Sequence, residues 1–246
     1  MKLTWEELGW EELAPRVGRR RLPVWDCTAG LVVGEGAALM IDAGSSRAEG
    51  ARLRAAAQRL LGTRCRVTHL ALTHPHFDHV FGTSAFAEVE VFGAVGVDTA
   101  LTSASGREEL RADAVRGGLD PDEAAEAARL LARPDHSVSG EWTLDLGGGV
   151  QVLLANVGPG HTRHDLVVLV PGADCPEIVF CGDLVEESGE PQAGPDAVPA
   201  RWPAALDRLL GLGGEDAVYV PGHGGAVNAA FVRAQRDALA TRFGVS

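Results

Sequence analysis

Short apolar runs alternate with longer amphipathic stretches along the chain. Runs rich in Val, Leu and Ile between turn residues predict β-strands, and apolar residues recurring at helical spacing predict α-helices. The predicted strands are Gly30–Val33, Ala37–Ile41, Val67–Leu72, Val89–Phe92, Trp142–Leu146, Val150–Ala155, Leu166–Val170, Ile178–Cys181 and Ala217–Val220. The predicted helices are Ser46–Leu61, Arg107–Arg116, Asp122–Leu131, Trp202–Leu210 and Ala229–Thr241. Strands interleaved with helices predict a layered α/β protein.

Boundary residues support several of these helices. Ser45 is the predicted N-cap of the first helix, and Gly62 is its predicted stop. Pro121 and Pro203 stand at the first turn of two others, where a proline ring is compatible with the helix. The basic run Arg16–Arg21 is predicted to be a solvated edge strand, because charge protects sheet edges from unwanted pairing.

The stretch 95–134 is helical, polar and rich in alanine, and it interrupts the series of strands. Two roles are open for it. It is either a solvated helical pair that covers a sheet face or a cap over a binding site, since insertions often carry binding residues. No shift in composition marks a boundary elsewhere. We therefore predict one domain over residues 1–246 with a helical insertion at about 95–134.

Charge and cysteine usage exclude several classes of protein. The 34 acidic and 22 basic residues give a net charge of −12, which repels phosphate backbones, so we expect no nucleic-acid partner. No apolar run approaches the ~18 residues of a membrane span, and the acidic start lacks the pattern of a secretory signal. Cys27, Cys65, Cys175 and Cys181 have no Cys-x-x-Cys spacing and are predicted to be free thiols. These features predict a cytoplasmic protein without a membrane partner.

Candidate chemistry is concentrated in one short segment. Three of the eight histidines fall within His74-Pro-His76-Phe-Asp78-His79, directly after the predicted strand Val67–Leu72. Neutral imidazole and carboxylate are preferred ligands of zinc and similar divalent metals. His74 and His76 can point the same way while Asp78 and His79 lie on the next turn of backbone. The segment therefore predicts ligands for two adjacent metal ions.

Three further candidates each follow a predicted strand. His161 lies in Gly158–Thr162, Asp183 follows Ile178–Cys181, and His223 lies in a Pro-Gly-His-Gly-Gly segment. The flanking glycines allow close approach of the backbone. Ligands gathered from several strand ends are typical of an α/β active site, so we predict a dinuclear metal centre. Asp42, Thr73 and Thr162 are candidates for groups that orient the imidazoles.

Taken in order, these residues resemble the pattern HxHxDH…H…D…H of the metallo-β-lactamase-fold superfamily. The matching positions are His74, His76, Asp78, His79, His161, Asp183 and His223. The segment Leu39–Gly44, which ends in Ile-Asp-Ala-Gly, is similar to the family's first strand pair and its IDxG turn. The resemblance implies a four-layer αβ/βα sandwich with the site on one edge.

The resemblance also implies how two divalent ions would be held. His74, His76 and His161 would bind one ion. Asp78, His79 and His223 would bind the other, and Asp183 would bridge them. Zinc is favoured, with iron or manganese as alternatives. A bridging hydroxide would attack the substrate, with Asp78 and Asp183 as the catalytic carboxylates and Asp78 able to accept a proton.

Differences between this sequence and known branches of the superfamily reduce the number of activities that the resemblance implies. Asp183 resembles the glyoxalase II, lactonase and phosphodiesterase-like branches, whereas the best-known zinc β-lactamases have Cys or Ser there. Only 23 residues follow His223, too few for the glutathione-binding region of glyoxalase II. Tyr219, the only tyrosine, is predicted to pack into the sheet, which weakens the lactonase alternative.

We therefore expect hydrolysis of a small thioester, lactone or phosphodiester. The alternatives are a mononuclear iron redox protein similar to persulfide dioxygenases, and a weak β-lactamase. Three histidines stay outside the site. His69 is predicted to be a satisfied strand residue, His136 a loop residue, and His164 either a structural hydrogen-bonding group or a pocket residue. The sequence leaves substrate identity, native metal and oligomeric state open.

Overall fold

Two β-sheets with helices on their outer faces build the part of the chain that the structure, a computed structural model, describes, residues 4–245. The first sheet has seven strands in chain order: Glu11–Ala14 (β1), Val17–Arg21 (β2), Thr28–Val33 (β3), Ala37–Ile41 (β4), Arg66–Ala71 (β5), Glu90–Ala94 (β6) and His136–Val138 (β7). Neighbours from β1 to β4 are antiparallel, and those from β4 to β7 are parallel. The carboxyl ends of β4 and β5 therefore lie at the same edge.

The second sheet has five strands in the spatial order β12, β11, β10, β9, β8. They are Glu141–Asp145 (β8), Gln151–Ala155 (β9), Val167–Val170 (β10), Ile178–Glu186 (β11) and Val218–His223 (β12). Strands β8 to β11 pair antiparallel, and β11 pairs parallel with β12. Strand β11, the longest of the five, and the edge strand β12 both reach the side of the sandwich at which β4 and β5 end.

Seven α-helices lie on the described part of the chain. They are Arg47–Leu61 (α1), Phe77–Val80 (α2), Val97–Thr102 (α3), Ala104–Arg116 (α4), Pro121–Arg129 (α5), Trp202–Gly213 (α6) and Ala229–Phe243 (α7). Short 3-10 turns occur at Glu6–Leu8, Thr83–Ala85 and Pro199–Arg201.

Strand β4 shows how the layers are held together. Its side chains alternate, so Leu39 and Ile41 enter the apolar layer between the two sheets, while Met40 enters the layer under α1. Helices α6 and α7 cover the outer face of the second sheet through a third buried cluster, which includes Leu206 and Val232. The order helices, sheet, sheet, helices confirms the predicted four-layer αβ/βα sandwich.

Several sequence predictions need correction. The N-cap of α1 is Ser46, whose side chain accepts a hydrogen bond from the Glu49 N–H, and not Ser45. Strands β1 and β7 were not predicted, because neither is a continuous apolar run. Strand β11 extends three residues past Asp183, so this aspartate lies within a strand and not after its end.

The sequence correctly predicts a strand within Arg16–Arg21 but wrongly places it at a solvated edge of the sheet. Strand β2 lies between β1 and β3, and Arg19 is only 4% exposed. Its guanidinium contacts the Glu11 carboxylate at 2.8 Å and donates to the Gly224 carbonyl oxygen at 3.1 Å. Arg19 therefore links the first sheet to the backbone that follows β12.

We expect Arg19→Met to lower the free energy of unfolding by about 1–3 kcal/mol, because the buried Gly224 carbonyl would lose its donor. Urea denaturation at constant metal concentration measures this. The matched control is Arg20→Met in the same strand, whose longer bond to the Leu8 carbonyl is 3.3 Å and whose loss should cost about 0.5 kcal/mol. Equal losses in the two variants would contradict the assignment.

Candidate metal centre

The seven residues predicted as ligands come from both sheets and meet at one edge of the sandwich. His74 and His76 lie in the turn after β5, and Asp78 and His79 lie in the single turn of α2. The second sheet supplies His161, Asp183 and His223 from the loop after β9, from β11 and from the last position of β12.

One half of the site is formed by three histidines beside Asp183. The Oδ2 atom of Asp183 lies 3.6 Å from His74 Nε2 and 3.4 Å from His161 Nε2. His161 Nε2 is also 3.0 Å from His76 Nδ1. The donor atoms of these four side chains all lie within 4.8 Å of one another, which is close enough to share a metal ion.

The other half consists of Asp78, His79 and His223, and it also lies beside Asp183. His223 Nε2 is 3.2 Å from Asp78 Oδ2 and 3.3 Å from Asp183 Oδ2. His79 Nε2 is 3.2 Å from Asp183 Oδ1 and 3.6 Å from Asp78 Oδ2. Asp183 thus contacts histidines of both halves, the position predicted for a bridging carboxylate.

The nitrogen that each of the five histidines turns away from the cluster lies beside an oxygen atom. Asp42 Oδ2 lies 2.8 Å from His79 Nδ1, and Thr73 Oγ1 lies 3.0 Å from His74 Nδ1. The Thr73 hydroxyl donates to Asp42 at 2.7 Å and so accepts from His74.

In the other three histidines, the outer nitrogen also lies beside an oxygen atom. The acceptors are Asp196 Oδ2 at 3.1 Å for His76 Nε2, the Gln192 carbonyl at 3.0 Å for His161 Nδ1, and the Trp25 carbonyl at 2.7 Å for His223 Nδ1. In a neutral ring, an N–H directed outward leaves a lone pair on the inner nitrogen. In their neutral form, all five imidazoles would therefore present the inner lone pair that a metal ligand requires.

Two of the inner atoms lack the hydrogen bonds that buried polar groups normally make. In that neutral form, His76 Nδ1 and His161 Nε2 both present lone pairs, and neither can donate to the other across their 3.0 Å separation. Within the described residues, His74 Nε2 and Asp183 Oδ1 are buried without a hydrogen-bond partner. Such atoms are costly unless something satisfies them, and a divalent cation would do so. The residues present fit a metal site.

The charges around Asp183 keep its carboxylate ionised and favour a positive charge beside it. Burial would raise the pKa of Asp183, but the surrounding histidines, His74 foremost, hold it well below its usual value. Burial would lower the pKa of His223, but Asp183 and Asp78 raise it to about 12. Burial lowers the pKa of His161 to about 4, which keeps this ring neutral.

Two backbone positions allow the close packing around Asp183. A Cβ at Gly222 would lie 1.8 Å from Asp183 Oδ1, so only glycine fits there. Asp42 has a left-handed backbone (φ 58°), which costs a non-glycine residue roughly 1–2 kcal/mol. Its carboxylate, bonded to Thr73 and His79, offsets that cost.

A cavity of about 830 Å³ opens onto the centre. Helices α3 and α4 and the residue between them line it through Thr99, Ser103, Glu109 and Ala112, while Leu110 and other residues of the same segment pack into the core. The stretch 95–134 thus covers the sheet and also contributes a wall of the cavity. That the whole chain forms one domain stays a prediction.

Of the three residues predicted to orient imidazoles, Asp42 and Thr73 contact histidines, whereas the Thr162 hydroxyl bonds to Asp165 at 2.7 Å. Sequence reasoning missed Asp196 and the carbonyls of Gln192 and Trp25. No sequence signal could have identified them, because their partners lie many residues away.

Cys27 is a free, buried thiol, as predicted. Its Sγ lies 3.5 and 3.7 Å from the two ring nitrogens of His79, and burial raises its pKa to about 12. Nearly equal distances to both nitrogens place the sulfur over the ring face. It is therefore not aligned with the inner lone pair of His79.

The remaining predicted histidines lie outside the cluster. His69 contacts the Thr68 hydroxyl at 2.8 Å in β5, as expected of a satisfied strand residue. His136 begins β7, which the sequence did not predict, and contacts Glu90 at 3.0 Å. His164 Nδ1 bonds to the Val95 carbonyl at 2.9 Å, and the same ring lines the cavity. Both roles that the sequence left open for His164 are thus present.

A family model described as the metallo-beta-lactamase superfamily matches residues 22–223. The chain belongs to this superfamily. A curated relative, metallo-beta-lactamase domain-containing protein 1 of Xenopus laevis, is 26% identical over 160 residues, which are 64% of this chain. The match spans about half of that relative's length, 54%.

Solved structures show the same fold. A metallo-beta-lactamase from Pontibacter korlensis is 21% identical with a TM-score of 0.72, covering 94% of this chain and 97% of its own. FIM-1 from Pseudomonas aeruginosa, solved in a mono-zinc form, is 18% identical with a TM-score of 0.68 and 96% coverage of both chains. At such identities the likeness establishes the fold and leaves the reaction open.

Within residues 4–245, no helix combines the length and the apolar character that a membrane span requires.

We expect Asp183→Ala to abolish tight binding of both metal ions, because both halves of the site lose their shared carboxylate. Metal content per chain, measured by mass spectrometry after gel filtration, tests this. Asp207→Ala, an exposed aspartate on α6, is the control and should match the wild type. Two bound ions retained in Asp183→Ala would rule out the bridging role.

Proposed function

We propose that this protein is a hydrolase that uses two divalent metal ions on a small thioester, lactone or phosphodiester. One observation carries the proposal: seven histidine and aspartate side chains form two adjacent groups with Asp183 in contact with both. Membership of the metallo-beta-lactamase superfamily supports it, since the residues of the family pattern are those that meet at this edge.

The two groups of side chains indicate which residues would hold each metal ion. His74, His76 and His161 would hold one ion, Asp78, His79 and His223 the other, and Asp183 both. Imidazole and carboxylate donors suit zinc, and iron or manganese remain alternatives. When bound, the ions supply a water of lowered pKa and positive charge beside the reacting group.

The protein's own residues perform the remaining tasks. The oxygen acceptors around the histidines keep each ring in one tautomer and orientation, which preorganises the site before substrate arrives. Buried His74 and His79 close the floor of the site against bulk water. The carboxylate of Asp78, which faces the cavity, can accept the proton released by the attacking water.

The cavity lining carries more acidic than basic side chains, which favours a small substrate over a polyanionic polymer. The cavity lining includes two guanidinium groups, Arg116 and Arg163, and Arg116 is paired with Asp113 at 2.8 Å.

Tyr219 is fully buried, and its hydroxyl donates to the Gly214 carbonyl at 2.8 Å. It is unable to assist at the centre, which argues against the tyrosine-assisted type of lactonase.

Initial rates on a thioester, a lactone, a bis-aryl phosphodiester and a chromogenic cephalosporin, with and without chelator, test the proposal. We expect one fast rate that chelator removes and added zinc restores. Silence on all four substrates, with two ions bound, would contradict the substrate classes proposed. A single bound iron with visible absorption would replace the proposal by the mononuclear redox alternative.

The cavity wall formed by α4 makes a separate prediction. Ala112→Trp should fill part of the cavity and lower kcat/KM for the preferred substrate about tenfold or more, roughly 1.4 kcal/mol, with metal content unchanged. Ala104→Trp, at an exposed position of α4 that does not line the cavity, is the control. Equal rates in the two variants would show that α4 does not contact substrate.

A further inference from the structure

The loop 187–198, which connects β11 to the 3-10 turn before α6, lies against one half of the metal centre. Its Asp196 carboxylate contacts His76 Nε2 at 3.1 Å, and its Gln192 carbonyl contacts His161 Nδ1 at 3.0 Å. The histidines of the other half, His79 and His223, take their acceptors from Asp42 and Trp25, outside this loop. The loop thus supplies acceptors to imidazole rings only in the half formed by His74, His76 and His161, and it reaches the other half only through the Glu187 N–H, which donates to the His223 carbonyl at 3.2 Å.

Several contacts hold this loop in place without Asp196. Arg242 on α7 donates to the Pro191 carbonyl at 2.8 Å, and the Val198 N–H donates to the Gly160 carbonyl at 2.9 Å. The Ala197 N–H donates to the Gly194 carbonyl at 3.1 Å. Removing the Asp196 side chain should therefore leave the path of the loop intact, and its effect should reach the site through His76.

His76 needs external support more than the other ligands do. It lies at the cavity, and its side chain is 22% exposed, against 1% for His74 and 4% for His161. His76 must also direct Nδ1, and not Nε2, toward the cluster, because its Nδ1 lies 3.0 Å from His161 Nε2. A carboxylate on Nε2 holds the hydrogen there and leaves the lone pair on Nδ1.

We propose that Asp196 is a positioning residue for His76, fixing its tautomer and ring orientation and thereby raising the metal affinity of the half formed by His74, His76 and His161. The inference rests on the metal-dependent function proposed above. Neither the seven-residue pattern nor the family match assigns a role to Asp196. The acceptor reaches His76 from 120 residues further along the chain.

Metal titration of the full chain tests the inference. Metal-free protein is titrated with zinc against a chromophoric chelator, and with cobalt(II) followed by its visible absorption. Asp196→Ala should weaken one binding step about 10–100-fold, the range found when partners of ligating histidines are removed. The other step should be unchanged. Asp196→Asn, which keeps an acceptor oxygen, should recover most of the lost affinity.

The matched control is Glu190→Ala, which removes a carboxylate from the same loop and the same cavity wall. It should bind both ions within twofold of wild type. An equal loss in Glu190→Ala and Asp196→Ala, or in Asp196→Asn and Asp196→Ala, would overturn positioning in favour of a general charge effect. Unchanged affinity in Asp196→Ala would overturn the inference directly.

Nitrogen-15 NMR of the histidine rings gives a readout independent of catalysis. In metal-free wild type, His76 should carry its hydrogen on Nε2, and Asp196→Ala should shift the ring toward a mixture of tautomers. An inactive wild type that retains the Asp196 effect contradicts only the proposed hydrolysis. An active wild type with identical His76 spectra and affinities in Asp196→Ala contradicts only the positioning role.

Discussion

The buried carboxylate of Asp183 is the group on which the arrangement of the site depends. A charge taken out of water costs several kcal/mol unless neighbours compensate it, and Asp183 is only 9% exposed. Four histidines from both sheets approach it to between 3.2 and 3.6 Å. Once these rings face inward, their outer nitrogens need acceptors of their own, which ties the centre to Asp42 and to distant loops.

Because Asp183 is surrounded by histidines from both halves of the sandwich, the geometry of the site depends on how the two sheets pack. His74, His76, Asp78 and His79 come from the first sheet, and the other three ligands from the second. The two sets meet only because the apolar layer between the sheets, with Ile41 and Phe180 among its members, holds the sheets together. A metal ion bound by both sets stabilises the folded chain through linkage, because the unfolded chain lacks the site.

The walls of the cavity come from elements outside the sheets. Helix α4 forms one side, and the loop 187–198 forms another. Under the proposed function, the fold supplies the metal centre and these two segments select the substrate. In this chain the loop has both tasks, because the residues that line the cavity are continuous with those that contact His76 and His161. Under the proposed function, substrate recognition and metal support would therefore share one short segment.

The sequence by itself determined the seven candidate ligands, the four-layer fold and most strand positions. Those inferences rest on local patterns, such as apolar runs that end in His or Asp, and on a resemblance carried by residues in fixed order. Only the tertiary structure decided that Arg19 is buried, that Cys27 lies over His79, and that Asp196 contacts His76. Each of these depends on a partner distant in the chain, and local patterning carries no information about which distant atoms will meet. The number of hydrogen-bond acceptors a buried cluster needs follows from its chemistry, but which residues supply them follows from packing.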